Sequence, residues 1–295
     1  MEQIMKRNTR ARLLLIASMT IFGTIAPFVR EIPVSSGELA LYRAIMATVL
    51  IAVFMLITKS KIPFGQIKRE VPLLLLSGGA MGINWILLFE AYKRTTVSVA
   101  TLSYYFAPVI VMLVCPLLFK ERLTPSQIVC FVASTVGVVM ITGTTGFSGK
   151  SDIFGILFGL GAATFYATVI LLNKFIKNVD GIHRTFLQFI AAIIVLLPYV
   201  VFSGGFTLES LDTRGWICLL IVGVIHTGIA YCMYFSSLKE LSGQKAAILS
   251  YVDPLVAVFI SVTALSESMT PWQIVGGILI LGSTLWNELV PKSDV

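Results

Sequence analysis

The chain has 295 residues, of which 57% are hydrophobic and only 13% are charged. A water-soluble domain is about a quarter charged and has too little interior to hide this much apolar surface. The composition therefore excludes a soluble globular protein and predicts a membrane protein in contact with lipid. The net charge of +7 does not indicate a nucleic-acid partner, because the lysines and arginines lie in short loops between apolar runs.

Ten apolar segments follow one another along the chain, each near the roughly 20 residues that a helix needs to cross a bilayer. They cover residues 11–29, 37–58, 70–91, 97–118, 125–143, 153–173, 183–203, 215–236, 244–264 and 271–289. They lack the alternation of barrel strands, and backbone polar groups in lipid must be satisfied within the segment. We therefore predict an all-α integral membrane protein with ten transmembrane helices.

The basic residues predict the orientation of these helices. With a cytoplasmic N-terminus, 16 of the 22 lysines and arginines fall on the cytoplasmic side, five fall outside, and Arg43 lies within a helix. Cytoplasmic loops carry such an excess of positive charge. We expect both termini to be cytoplasmic and the protein to reside in a bacterial inner membrane.

The two halves of the chain resemble each other. A polar stretch at residues 143–152 divides two groups of five segments, which predicts repeats at 1–145 and 146–295. A constant offset of 146 pairs Tyr105 with Tyr251 and Glu121 with Glu267, and it also pairs Lys93 with Lys239, Trp85 with Tyr231, Pro108 with Pro254, Thr124-Pro125 with Thr270-Pro271 and Gln127 with Gln273. Because five is odd, the second copy must be inverted, as in alternating-access transporters. The alternative is a duplication that only built a stable bundle.

These features resemble the drug/metabolite transporter superfamily, in particular its ten-helix EamA branch. The resemblance is carried by Leu41-Tyr42-Arg43-Ala44 in the second segment, by the paired mid-helix prolines, and by E-x-x-T-P-x-Q in each half. It implies a central cavity between helices 1–4 and 6–9, with helices 5 and 10 as peripheral supports. It also implies a substrate such as an amino acid, a sugar, or a nucleotide-linked or drug-like solute, often moved outward.

Asp253 is the strongest candidate for coupling transport to an ion. It lies halfway along the ninth segment, where a lone carboxylate costs about 2.5–3.5 kcal/mol on insertion scales. Such a group could take up and release protons, and Pro254 beside it cannot donate a helical hydrogen bond, which frees a carbonyl. The alternative is a static ion pair with Arg43 or Lys245.

Arg43 and Glu90 are the other candidates for coupling or gating. A forked guanidinium could hold a substrate carboxylate, or Arg43 could pair with Glu38, Glu90 or Asp253, or extend to the surface. Glu90 ends the third segment directly before two basic residues. Solvated pairing with Lys93 and Arg94 is therefore its alternative role.

Amide and aromatic side chains in the middle of the segments are candidates for substrate binding, because small-molecule pockets combine aromatic walls with a few directed polar groups. The candidates are Asn84, Trp85, Tyr104, Tyr105, His226, Tyr231 and Tyr251. Helix packing with satisfied polar tips is the alternative for each of them. The GxxxG of Gly155 and Gly159 predicts close helix packing, with a homodimer as the second interpretation.

The sequence thus predicts a secondary active transporter, an exporter of a small polar metabolite such as an amino acid or related solute. We expect alternating access and proton coupling, with the substrate, lipid, protons and a second copy of the chain as partners and with no nucleic acid. An intramembrane enzyme or a channel is the alternative. Against an enzyme, the chain has only two histidines and no HExxH, GxSxG or Walker A motif, and we expect neither a cofactor nor a metal.

Overall fold

The computed structural model describes residues 2–60, 62, 67–119, 124–145, 150–179, 181–238, 240–241, 246 and 249–289. Within these ranges all regular structure is helical. In chain order the helices are α1 (Glu2–Gly23), α2 (Ile25–Arg30), α3 (Ser36–Ile57), α4 (Val71–Arg94), α5 (Val97–Tyr104), α6 (Ala107–Phe119), α7 (Pro125–Thr145), α8 (Lys150–Phe175), α9 (Gly181–Phe202), the 3-10 turn Leu208–Ser210, α10 (Thr213–Leu220), the π-helix Ile221–Ile229, α11 (Ala230–Leu238), α12 (Val252–Thr263) and α13 (Pro271–Leu289).

Seven helical spans of the described chain are long and apolar enough to cross a membrane. They are Thr9–Arg30, Ser36–Ile57, Val71–Arg94, Val97–Cys115, Ile153–Phe175, Gly181–Phe202 and Thr213–Leu238. Two shorter apolar helices, Pro125–Ile141 and Val252–Thr263, and the helix α13 coincide with the other three predicted segments. The described chain is therefore all-helical, as expected of an integral membrane protein, and its crossing the membrane ten times remains a prediction.

Side chains before the first turns fix where several helices begin. Ser35, Thr96 and Asp212 each accept a hydrogen bond from a backbone N–H three residues later, at 3.1, 3.3 and 2.7 Å. Such N-caps satisfy donors that would otherwise be orphaned and contribute about 1 kcal/mol each. These three helices, α3, α5 and α10, therefore begin sharply after short loops.

The repeated T-P-x-Q motif has a local structural role. In α7 the Thr124 N–H donates to Gln127 Oε1 at 2.8 Å, and the Gln127 N–H donates back to Thr124 Oγ1 at 3.4 Å. In α13 Thr270 and Gln273 make the same pair of bonds at 2.9 and 3.2 Å. Each motif is a reciprocal capping box with proline at the first helical position.

Helices α7 and α13 pack against each other through glycines. A Cβ atom on Gly276 would lie 2.6 Å from the carbonyl oxygen of Gly137, so only glycine allows the backbones to approach this closely. Gly155 and Gly159 of α8 likewise face Thr95 and Ser103 of the same chain. The GxxxG motif thus serves packing within the chain, as predicted, and the homodimer stays a prediction.

The remaining helices surround a central space. Helix α4 packs against α8 and α9, while α3 packs against α9 and the π-helix. Helix α1 packs against α11 and α12, and α5 lies between α8 and α12. The space between them lies in the middle of the bundle and holds the candidate site.

Candidate functional site

A cavity of about 410 Å³ lies among these helices. Aromatic side chains are the largest group among its lining residues, and only three of the described lining residues are charged. The aromatic residues are Phe22, Trp85, Phe89, Tyr92, Tyr104, Tyr105, Tyr166, Tyr231, Tyr234 and Phe235. Of the described residues that line the cavity, none comes from α7 or α13, which agrees with the peripheral place that the resemblance implies for the fifth and tenth helices.

Asp253 lines this cavity at the beginning of α12. The Tyr105 hydroxyl donates to its Oδ2 atom at 2.8 Å. No described lysine, arginine or histidine lies within ion-pair distance of this carboxylate. Arg43 is therefore not its partner, and Lys245 lies outside the described residues.

Helix breaks on both sides place Asp253 and Tyr105 beside each other. Helix α5 ends at Tyr104 and α6 begins at Ala107, one residue before Pro108, while α12 begins at Val252, two residues before Pro254. The Tyr105 and Tyr251 rings, which the repeat pairs, lie 6.5 Å apart between centroids. The helix breaks near the two repeat-paired prolines thus bring repeat-related tyrosines together.

Helix α1 also approaches Asp253 closely. A Cβ atom on Gly23 would lie 2.6 Å from the Asp253 carbonyl oxygen and 2.8 Å from Val256 Cβ. Helix α1 ends at this glycine, and α2 begins two residues later. Asp253, the coupling candidate, therefore lies where three helix ends meet: those of α1, α5 and α12.

Arg43 is a buried cation that also lines the cavity, with 5% of its surface exposed. Its guanidinium carbon lies 4.6 Å from the centroid of Trp85 and 5.5 Å from that of Phe89. Its Nε atom donates to Thr227 Oγ1 at 2.7 Å. Cation–π contacts of this kind contribute about 2 kcal/mol when desolvated.

The π-helix Ile221–Ile229 explains the position of Thr227. Its wider turns carry the Thr227 hydroxyl to the Val222 carbonyl oxygen, five residues earlier, at 2.8 Å. The same hydroxyl then accepts from Arg43. Segments of π-helix occur frequently at functional sites, and this one holds the arginine side chain in place.

The aromatic candidates form a continuous wall. Phe189 packs between Trp85 and Tyr231, with ring centroids 5.2 and 5.3 Å away. Tyr104 packs on Tyr105 at 5.8 Å. Trp85 and Tyr231, which the repeat pairs, therefore both line the cavity, and the Phe189 ring packs between them.

Four predicted site residues do not line the cavity of the described chain. Asn84 is buried and donates to the Ala162 carbonyl oxygen at 2.6 Å. His226 is bonded through both ring nitrogens, to the Thr24 hydroxyl at 3.1 Å and the Ile221 carbonyl at 3.2 Å. Of the other two, Tyr251 packs near the lining residue Tyr105, and Glu90 is bonded to Ser36 at 2.7 Å and to Arg94 at 3.2 Å.

A polar network joins the helices at one end of the bundle, which we call the Glu267 end. Glu267 forms an ion pair with Arg30 and accepts from the Val97 N–H at 2.8 Å. The Ser261 hydroxyl donates to the same carboxylate. Arg30 also donates to the carbonyl oxygens of Tyr92 and Thr95 at 2.8 and 2.7 Å. The network joins α2, α4, α5 and α12 beyond the cavity.

The cavity reaches the opposite end, which we call the Glu70 end because Glu70 accepts from the Lys177 and Asn178 N–H groups there. Gly181 and Arg184, which lie at the beginning of α9, are among its lining residues. Arg184 donates to the carbonyl oxygens of the preceding loop. The cavity is therefore elongated toward this end.

Sequence reasoning did not identify several residues of this site. Thr227 and the additional tyrosines of the wall carried only a weak signal, as polar tips within apolar runs. The missed residues include Tyr92, Tyr166, Gln188, Thr227, Tyr234, Arg30 and Glu267. Glu267 was visible as a repeat-paired residue, but its partner Arg30 lies 237 positions away.

These features define a polytopic membrane protein with a central polar-aromatic cavity, and the comparisons place it among membrane transporters. The EamA-like transporter family matches residues 9–143 and 153–288, so the chain belongs to that family across two repeats. This confirms the resemblance to the drug/metabolite transporter superfamily. The boundaries of the repeats at 1–145 and 146–295 remain predictions.

Individual relatives agree with this assignment. A Bacillus subtilis (strain 168) protein named "Uncharacterized transporter YxxF" is 31% identical over 93% of this chain and 88% of its own length. "Protein PecM" of Dickeya dadantii (strain 3937) is 26% identical over 83% of this chain and 80% of its own length. A solved crystal structure covers 94% of the chain and 96% of its own, with a TM-score of 0.65 at 17% identity, which shows a shared fold.

Proposed function

We propose that this chain is a secondary transporter that moves a small polar solute by alternating access. The cavity carries the proposal, because it extends to one end of the bundle while a polar network closes the other. A substrate site between two repeats is the arrangement on which alternating access depends. In this proposal the two repeats have inverted topology and together make ten crossings.

The Glu267 end faces the outside in this proposal, and the Glu70 end faces the cytoplasm. Lys59, Lys68, Arg69, Lys174 and Lys177 are near the Glu70 end, as the positive-inside tendency requires. The described conformation is then open inward. Export of an amino acid or a related solute from a bacterial cytoplasm would begin from this state.

Asp253 is the proposed coupling group. It faces the cavity, accepts one hydrogen bond from Tyr105 and has no cationic partner among the described residues. A carboxylate in such a position can exchange a proton with whichever side the cavity faces. Proton release and substrate binding would then be linked through one accessible site.

The test is a proton-linked current from proteoliposomes on a solid-supported membrane, challenged with pools of amino acids, sugars and amines. We expect one pool to give a saturable current that Asp253→Asn abolishes. Glu209→Gln is the matched control, since Glu209 is exposed in a loop turn, and it should leave the current unchanged. A current with intact pH dependence in Asp253→Asn would reject proton coupling. Absence of both current and radiolabelled counterflow for every pool would reject the transporter.

A further inference from the structure

Resting on the proposed function, we propose that Arg43 binds the carboxylate of the substrate, so that the transported solute is a small organic acid or amino acid with an apolar body. Arg43 lines the cavity and is 5% exposed. Burying a guanidinium to this degree is strongly unfavourable unless an anion or a set of hydrogen-bond acceptors compensates its charge. We therefore ask first which groups of the protein stabilise the charge of Arg43.

The carboxylates that could pair with Arg43 are bonded elsewhere. Glu38 accepts from the Tyr42 hydroxyl at 2.8 Å and from the Thr207 N–H and hydroxyl at 2.7 and 2.6 Å. Glu90 is bonded to Ser36 and Arg94, and Asp253 accepts from the Tyr105 hydroxyl. No carboxylate of the described residues lies within ion-pair distance of Arg43.

The protein uses only part of the hydrogen-bonding capacity of this guanidinium. Its Nε donates to Thr227, and the two aromatic faces of Trp85 and Phe89 lie near its carbon. Its terminal nitrogens make no hydrogen bond within the described chain. Those two nitrogens form the fork that matches the two oxygens of a carboxylate. An arriving anion would complete the site.

The aromatic residues that line the cavity indicate the chemistry of the rest of the substrate. Trp85, Phe89, Tyr104 and Tyr231 lie along the same cavity as the guanidinium. A volume of about 410 Å³ suits a small molecule whose apolar or aromatic body packs against these rings. Thr227 is a positioning residue in this arrangement, because it orients the fork without reaching the ligand.

Three matched probes test this assignment on the purified full-length protein: phenylalanine, 3-phenylpropanoate, which lacks the amine, and 2-phenylethylamine, which lacks the carboxylate. Binding is measured as the saturable rise in melting temperature. We expect both acids to bind and the amine not to bind. Arg43→Gln should weaken the acids by about 10- to 100-fold, which corresponds to the loss of hydrogen bonds to a charged group.

Two further variants keep the test informative if Arg43→Gln folds poorly. Arg43→Lys keeps the charge but loses the fork and should weaken binding of the acids to a smaller extent. Thr227→Val should weaken both acids while Thr227→Ser, which keeps the hydroxyl, restores them. Arg214→Gln is the arginine control, because Arg214 is 70% exposed and lies in a surface pair with Glu31.

Equal binding of amine and acid, unchanged acid binding in Arg43→Gln, or no binding of either acid would overturn the carboxylate site. These outcomes are separable from failure of the transporter itself. A saturable flux of amines or sugars in proteoliposomes would reject the carboxylate site and leave the transporter standing. Loss of every flux would reject both.

Discussion

Removal of the charge on Glu267 should open the closed end of the transporter. In Glu267→Gln the side chain keeps its size but loses the ion pair with Arg30 and the charge that the Val97 N–H and Ser261 hydroxyl bind. Arg30 retains its two carbonyl acceptors. The helices that the network joins would then separate more readily.

The magnitude follows from the exposure of the pair. The side chains of Arg30 and Glu267 are 27% and 12% exposed, which lies between a surface pair, at about 0–1 kcal/mol, and a broken buried pair, at about 3–5 kcal/mol. A loss of about 1–3 kcal/mol is expected from these limits. Because 1.4 kcal/mol corresponds to a factor of ten, the population open at the Glu267 end should rise by about 5- to 150-fold.

Thiol accessibility measures this population. Thr101 lines the cavity below the network and is 1% exposed, so Thr101→Cys reports opening in a background whose four native cysteines are replaced by alanine. A membrane-impermeant methanethiosulfonate is added from the outside. Labelling should be about 5- to 150-fold faster with Glu267→Gln than without it.

Glu31→Gln is the matched control at the same end. Glu31 pairs with Arg214 at 2.9 Å, but these side chains are 42% and 70% exposed and do not line the cavity. The labelling rate of Thr101→Cys with Glu31→Gln should equal the rate of Thr101→Cys without it. Equal rates for Glu267→Gln and the parent, or the same acceleration in Glu31→Gln, would refute the role of the network as a gate.

Two packing predictions use the helices around the cavity. Gly276→Ala should destabilise the protein by about 1–3 kcal/mol, because the new Cβ atom would lie 2.6 Å from the Gly137 carbonyl oxygen. Gly282→Ala in the same helix is the control. Its Cβ atom would have no neighbour within 4 Å, so this substitution should stabilise the protein by about 0.5–1 kcal/mol. Asn84→Leu should cost about 1 kcal/mol by removing the bond to Ala162, while flux per folded molecule stays unchanged. Melting curves and proteoliposome flux check these expectations, and a loss of flux in Asn84→Leu would return that residue to the substrate site.

The positions of the helices were predictable because lipid imposes a strong compositional signal. Each of the ten apolar segments overlaps at least one helix of the described chain, and helices end or begin at Tyr104 and Val252, near the paired prolines. The T-P-x-Q motif was visible as a repeated pattern, and the structure gives its physical role as a capping box. Such local features are set by neighbours along the chain.

The rotation of each helix was not predictable to the same degree. Asn84 and Trp85 are adjacent in the sequence, yet Trp85 lines the cavity while Asn84 donates a hydrogen bond to the Ala162 carbonyl oxygen in α8. Helices that are apolar on all sides carry no periodic signal for which face is inward. Position within a segment therefore does not decide which side chains face the cavity: Arg43 and Asp253 line it, whereas His226 is bonded within the bundle.

Contacts between distant parts of the chain were the least visible. Thr227 reaches Arg43 across 184 positions through a π-helix for which the sequence carries no recognised signal. Arg30 and Glu267 are a similar case. Repeat pairing indicated that Glu267 mattered, but only the folded structure brings these two charges together.

Alternate opening of the two ends around one cavity is the central claim, and distances between spin labels in liposomes test it most directly. One label pair, at Glu31 and Ala264, spans the Glu267 end, and another, at Lys68 and Lys177, spans the Glu70 end. The account predicts that Glu267→Gln lengthens the first distance while it shortens the second. Both distances fixed, or both changing in the same direction, would contradict alternating access.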